Sequence, residues 1–296
     1  MRPFLAWLEG DLAALERDGR HMTSVGRQYE HRATIAWGHH FAGIAAYERN
    51  DLLAAEHHLS VSADTRFTTL ELRLHGAAAM ALTESALGRH ADASATADAA
   101  VAEALAARGD YYLPTVQALT ALLEVRAGRL ASAQRWARAA DLEAARHRYM
   151  FFDRAPVLVE ILLSSAEDEA AGRALLDRLL TSPGGRFNRP LNVKLLGLSA
   201  LVHARDGEHA RALEALEQGV RIAHDGGLIR SLADFGPELT PMLLRLDATG
   251  SVLDHVGSIV DAINAPTSTE ASAGGPAVVA SVAGGPDLTN REMDVL

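Results

Sequence analysis

Apolar positions along the chain recur at the three-to-four-residue spacing of amphipathic helices, and the pattern breaks briefly at a nearly constant interval. The breaks fall at Gly10, Asn50, Gly88, Gly128, Asp168 and Gly207, in steps of 40, 38, 40, 40 and 39 residues. Around five of them the text reads LEGDLAALE, ERNDLLAAE, ALGRHADAS, RAGRLASAQ and ARDGEHARA: a helix halts at a few polar residues and another begins. No segment keeps the period-two alternation of a strand over a useful length. Self-similarity at this period predicts stacked helix pairs, an all-α solenoid.

The pattern predicts helices over about 36–48, 51–62, 66–87, 90–107, 113–127 and 130–146. Further helices follow over about 152–164, 168–181, 189–205 and 208–224, with a short one near 252–263 closing the stack. Asp225-Gly226-Gly227 offers glycine for a left-handed C-cap. Arg108-Gly109-Asp110 and Pro183-Gly184-Gly185 mark the other breaks. Residues 1–264 therefore form the repeat domain. Residues 265–286, rich in Ala, Ser, Thr, Gly and Pro, have a linker's composition and a span of roughly 25 Å. Residues 287–296 open one more helix: Thr289 and Glu292 are spaced as a capping box, with Leu288 and Met293 placed for a hydrophobic staple.

Composition narrows the function. The 296 residues are 48% hydrophobic but only 5% aromatic. Alanine supplies much of the apolar share, which favours helix and close helix approach. There is no cysteine, which excludes disulfides and thiolate zinc sites. The N-terminal apolar run is short and interrupted by Glu9 and Asp11, unlike a signal peptide. No stretch approaches the ~20 apolar residues that span a bilayer, so a cytoplasmic chain without membrane contact is expected. A formal net charge of −10 opposes polyanion binding, and Lys194 is the single lysine.

The repeats resemble the tetratricopeptide repeat, in a version longer than its usual ~34 residues. Five positions after the turn that family places a small residue, and Ala55, Ala93, Ala133 and Ala212 stand there. Seven positions before it Gly43, Ala81, Ala121 and Ala200 do the same, where two helices cross closely. The unit around Asp168 departs from this, with Arg173 at the small position. At Gly10 the second helix is complete, and the first is expected to begin before Met1.

The segment GLIRSLADFGPELTPMLLRL after the repeats resembles the one that closes the helical domain of the large ATP-binding LuxR-type, maltose-regulator-like transcription regulators. Gly227, Ile229, Arg230, Leu232, Asp234, Gly236 and Pro237 carry the likeness. The tail Leu288-Thr289-Asn290-Arg291-Glu292-Met293-Asp294-Val295-Leu296 resembles the start of the LuxR-type helix-turn-helix, with Leu288, Thr289, Arg291 and Glu292 at the motif positions. The resemblance implies a signal-sensing region between an NTPase and a DNA-reading domain, both lying outside this chain. It implies that an inducer or a regulatory protein acts on the repeats and biases self-association. DNA would be met only through the missing C-terminal domain.

Catalytic chemistry is not apparent. There is no G-x-x-x-x-G-K-[S/T] loop around Lys194, so ATP is expected only in the missing NTPase, and no cofactor in this chain. No G-x-S-x-G and no H-E-x-x-H occurs. His39-His40 and His57-His58 are adjacent pairs pointing about 100° apart on a helix, poor chelators, so no metal is expected. The chain reads as a binding module rather than an enzyme, either the regulator's sensor or a free-standing scaffold for protein partners. With the register set by the turns, Trp37, His40, Tyr47, His75, Arg126, Lys194 and Arg205 face the concave surface. Trp37 and Tyr47 fit packing between repeats equally well.

Overall fold

The structure, a computed structural model, describes residues 2–63, 68–108, 111–140 and 151–265. Among them are sixteen α-helices, one 3-10 turn and no strand. The first eight helices are α1 (Arg2–Leu8), α2 (Leu12–Gln28), α3 (Arg32–Glu48), α4 (Leu52–Ala63), α5 (Leu70–Ala86), α6 (His90–Ala106), α7 (Leu113–Arg126) and α8 (Leu130–Ala139). After them come α9 (Arg154–Leu163), α10 (Glu169–Thr181), α11 (Pro183–Phe187), α12 (Arg189–Arg205) and α13 (His209–Gly226). The chain then folds into α14 (Arg230–Ala233), the 3-10 turn Gly236–Leu239, α15 (Thr240–Leu243) and α16 (Gly250–Asn264). The predicted linker from 266 onward, the helix-turn-helix start at Leu288, Thr289, Arg291 and Glu292, and the second half of the predicted helix 130–146 lie outside the described residues.

The periodic breaks are the turns of helix pairs. Gly10, Asn50, Gly88, Gly128 and Gly207 all adopt positive φ, between 62° and 78°. Such a conformation favours glycine, or asparagine at second choice, and reverses the chain in a few residues. Asp168 does not share it, with φ of −103°. There the small residue against the partner helix is Gly172, where an added Cβ would lie 3.0 Å from Leu162 Cβ. Arg173 instead turns outward to pair with Glu169 and Asp206. The register in this unit is displaced by one residue from the one the turn spacing predicts. Ala55, Ala93, Ala133 and Ala212 are buried, as are Gly43, Ala81, Ala121 and Ala200.

Two layers follow from two kinds of helix. α12 buries ten of its 17 residues and α13 five of its 18, so α12 is wrapped by protein and α13 shows one face to water. The inner helices pack on one another in order, α3 on α5, α5 on α7, α7 on α9 and α9 on α12. α14 packs on both α12 and α3. The inner layer is therefore a closed ring, with α4, α6, α8, α10 and α13 outside it. The residues that α6 buries fully are all alanines, Ala93, Ala97, Ala100 and Ala104, spaced three and four apart along one stripe.

Before the turn at Gly10, α1 occupies the place of the pair's first helix and packs on α2 and α12. Two local expectations change, at residues 183–185 and at the start of α5. Pro183-Gly184-Gly185 does separate two helices but also forms its own short one. Ser182 caps it by accepting from the Gly185 N–H at 3.0 Å, and Pro183 sits where a missing N–H costs nothing. α5 starts at Leu70 rather than 66, because Thr69 caps it through the Leu72 N–H at 3.3 Å. The closing helix near 252–263 is α16, packed on α13, α14 and α15.

Candidate ligand pocket inside the helical ring

The ring is locked where its two ends meet. The backbone N–H of Ile229 donates to the carbonyl of Glu48 at 2.7 Å. The Glu48 carboxylate accepts from the Ser231 N–H at 3.0 Å and its hydroxyl at 2.9 Å. One residue earlier on α3, Tyr47 donates its hydroxyl to Asp234. Asp234 also pairs with Arg230, one turn away on α14, and with Arg126 of α7 at 3.2 Å. Arg230 in turn donates to Asn50 at 3.3 Å and lies 5.7 Å over the Tyr47 ring. Residues some 180 apart in sequence thus form one polar clasp.

Electrostatics explains why the clasp holds. Burial alone would raise the Asp234 carboxyl, but Arg230, Arg126 and the Tyr47 hydroxyl outweigh it and hold it at about 2. Burial, reinforced by that carboxylate, pushes the Tyr47 phenol up, so it remains a donor. Burial raises Glu48 as well, against the opposing pull of Lys194 and Ser231. One Glu48 oxygen, Oε1, is buried with no hydrogen-bond partner. A charged group so placed costs free energy, which a proton on Glu48 would relieve.

Beside the clasp the ring encloses a cavity of about 60 Å³, enough for a few waters or the core of a small ligand. Its walls come from six parts of the chain: Trp7 of α1, Leu82 of α5, Leu122 and Arg126 of α7, the Phe151–Asp153 stretch with Glu160 of α9, Lys194 of α12, and the Ser231–Phe235 segment. Four aromatic side chains line it, Trp7, Phe151, Phe152 and Phe235. Asp153 and Asn188 also reach it while capping α9 and α12, which fixes them in place. Mostly apolar walls with a few polar groups aimed inward are the usual make-up of a small-molecule site.

The seven residues expected on the concave surface divide into groups. Arg126 and Lys194 both line this cavity, and Tyr47 stands directly behind it, bonded to Asp234 and fully buried. His40 and His75 lie close together under α3 and α5, both buried, where burial and the neighbouring imidazole push His40 down to about 3. Trp37 stacks on Phe41 at 5.5 Å and meets Phe4 edge-on at 5.6 Å, a packing role. Arg205 lies at the outer rim, donating to the Leu163 carbonyl at 3.0 Å. Sequence reasoning did not bring Trp7, Phe151, Glu160 or Phe235 to the site. Asp234 and Arg230 stood in the closing segment, and their opposite charges one helical turn apart were the available signal.

The histidine pairs behave as helix-packing groups. His39 and His58, from adjacent helices, approach Nδ1 to Nδ1 at 3.0 Å, so one ring donates and the other accepts. Among the described residues no group of three metal-ligating side chains converges. Nor, among them, is any helix long and apolar enough to cross a membrane.

An all-helical repeat ring around an internal pocket defines a helical-repeat sensing or scaffold domain. The family model described as the MalT-like TPR region matches residues 11–249. The chain belongs to that family. Comparison with curated proteins and with solved structures found no match.

Proposed function

We propose that this chain is the signal-sensing region of a LuxR-type transcription regulator and that the ring cavity is its effector site. The observation that carries the reading is the position of the cavity against the clasp. Arg126, Ser231 and Asp234 belong to both, so an occupant touches the groups that hold the ring closed. A ligand that prefers one state of the clasp shifts the population toward it by its differential affinity. Through the closing segment that shift reaches whatever follows residue 265. The region works by binding, without catalysis and without a cofactor of its own. ATP belongs to an NTPase and promoter DNA to a helix-turn-helix, both in the remainder of a cytoplasmic regulator. A regulatory protein on the outer layer and self-association are further inputs consistent with a repeat scaffold.

Two experiments test this. The reading frame on either side of the chain should encode a P-loop upstream and a helix-turn-helix downstream; finding neither contradicts the regulator assignment. A Val157→Trp substitution should fill the cavity and abolish the effector response of the target promoter in a reporter strain. A response unchanged by the filled cavity would place sensing elsewhere. Stable protein partners without promoter association would instead favour a free-standing scaffold.

A further inference from the structure

The cavity wall carries an acidic and a basic side chain that make no ion pair with each other. Glu160 reaches it from α9 and Lys194 from α12. Burial pushes the Glu160 carboxyl up, against the opposing pull of Arg126 and, more weakly, of Lys194. Among the described residues no ion pair or hydrogen bond engages the Glu160 or Lys194 side chain. The Lys194 ammonium lies 6.0 Å from the centre of the Phe151 ring. The nearby cation Arg126 is already committed to Asp234. A buried acid and an ammonium that face one apolar cavity without partners are costly, and a ligand charge opposite each would offset that cost. The gap between them has the shape of a missing partner that carries both signs.

We propose that the cavity binds a small zwitterion, an α-amino acid with an apolar side chain. Its carboxylate accepts from the Lys194 ammonium, its own ammonium donates to the Glu160 carboxylate, and its side chain lies among Phe151, Phe152 and Phe235. A molecule with only the acid leaves Glu160 unpaired, and one with only the amine leaves Lys194 unpaired. An uncharged molecule leaves both. Lysine suits this end better than arginine would. A compact ammonium on a flexible stem can follow a single carboxylate, and this is the chain's one lysine among 28 basic residues. The inference rests on the cavity being the effector site.

Calorimetric titration of the full chain tests it with L-leucine, L-phenylalanine, 4-methylpentanoate and 3-methylbutylamine. Both amino acids should bind more tightly than either singly charged analogue. Lys194→Gln and Glu160→Gln should each weaken amino-acid binding ~10-fold or more, the loss of one charged hydrogen bond. The acid should respond to the lysine change alone and the amine to the glutamate change alone. Thermal melting of both variants checks that the ring is intact, and Lys194→Arg and Glu160→Asp repeat the comparison with the charge kept. A singly charged analogue binding as tightly as the amino acids overturns the zwitterion assignment, as does amino-acid affinity unchanged in both glutamine variants. Absence of binding by all four compounds overturns it too. Failure of the zwitterion assignment leaves the wider sensor reading standing, since that reading is tested separately by the flanking reading frame and by the response of the Val157→Trp chain.

Discussion

Replacing Asp234 with asparagine should destabilise this chain far more than deleting any surface ion pair. The substitution keeps the shape of the side chain and removes its charge, leaving Arg126 and Arg230 facing a neutral amide in the interior. Their side chains are only 20% and 9% exposed, so water cannot take over the role of the carboxylate. Removing one partner of a buried ionic group costs ~3–5 kcal/mol, and the remaining amide oxygen places this case near the lower end. The proton equilibrium gives an independent figure. Asp234 is held at about 2 instead of 3.8, which corresponds to ~2 kcal/mol of folding free energy. Because its folded value is depressed, that stabilisation is present above about pH 4 and disappears as the pH falls toward 2. At ~2–4 °C per kcal/mol for chains of this order of size, the melting temperature should drop by roughly 5–12 °C at neutral pH. Far-UV circular dichroism on melting provides the assay. Arg138→Ala serves as the reference, since its pairs with Glu167 and Asp168 are exposed and worth little. The gap between wild type and Asp234→Asn should narrow as the pH is lowered from 4. A variant that melts within about 2 °C of wild type at neutral pH would refute the reasoning.

Two further outcomes follow from packing and from proton linkage. At Gly38 an added Cβ would lie 2.6 Å from the Gly19 carbonyl oxygen and 2.7 Å from the Thr23 nitrogen, both backbone atoms. Gly38→Ala should therefore force α2 and α3 apart and cost ~1–3 kcal/mol in denaturant titration, and a neutral result would show that the helices are not in such contact. His40 is held at about 3 by burial, against 6.5 when free. The unfolded chain thus binds its proton first, and stability is lost as the pH falls from about 6.5 toward 3. Between pH 7 and 5 this histidine should account for ~2 kcal/mol of the loss. His40→Gln should lose correspondingly less over that range; parallel profiles would contradict the assignment.

The repeat was legible in the sequence because each turn needs a backbone state that few residues adopt. Gly10, Asn50, Gly88, Gly128 and Gly207 mark themselves, and the small residues at helix crossings confirm the register. The unit at Asp168 stood out in the sequence as a departure, with Arg173 at the small position, but its turn carries no left-handed residue, so nothing in the text fixed its phase. Ring closure could not be read at all. Whether Tyr47 meets Asp234, 187 residues away, depends on the small rotation added by each pair, which no local pattern encodes. The same limit divided the site. Register arithmetic brought Arg126 and Lys194 to the cavity because both lie on inner helices. It did not bring Trp7 or Phe235, which arrive from the first helix and from the segment after α14, far apart in sequence, and meet only once the ring is closed.

The closed ring, on which the pocket and its coupling depend, is tested most directly by hydrogen exchange at two backbone amides. The Ile229 N–H is bonded to the Glu48 carbonyl and the Ser231 N–H to the Glu48 carboxylate. Both should exchange as slowly as amides in the middle of α12, and both should speed up selectively in Asp234→Asn. If they exchange at the rate of an exposed loop while α12 stays protected, the solenoid is open and encloses no pocket.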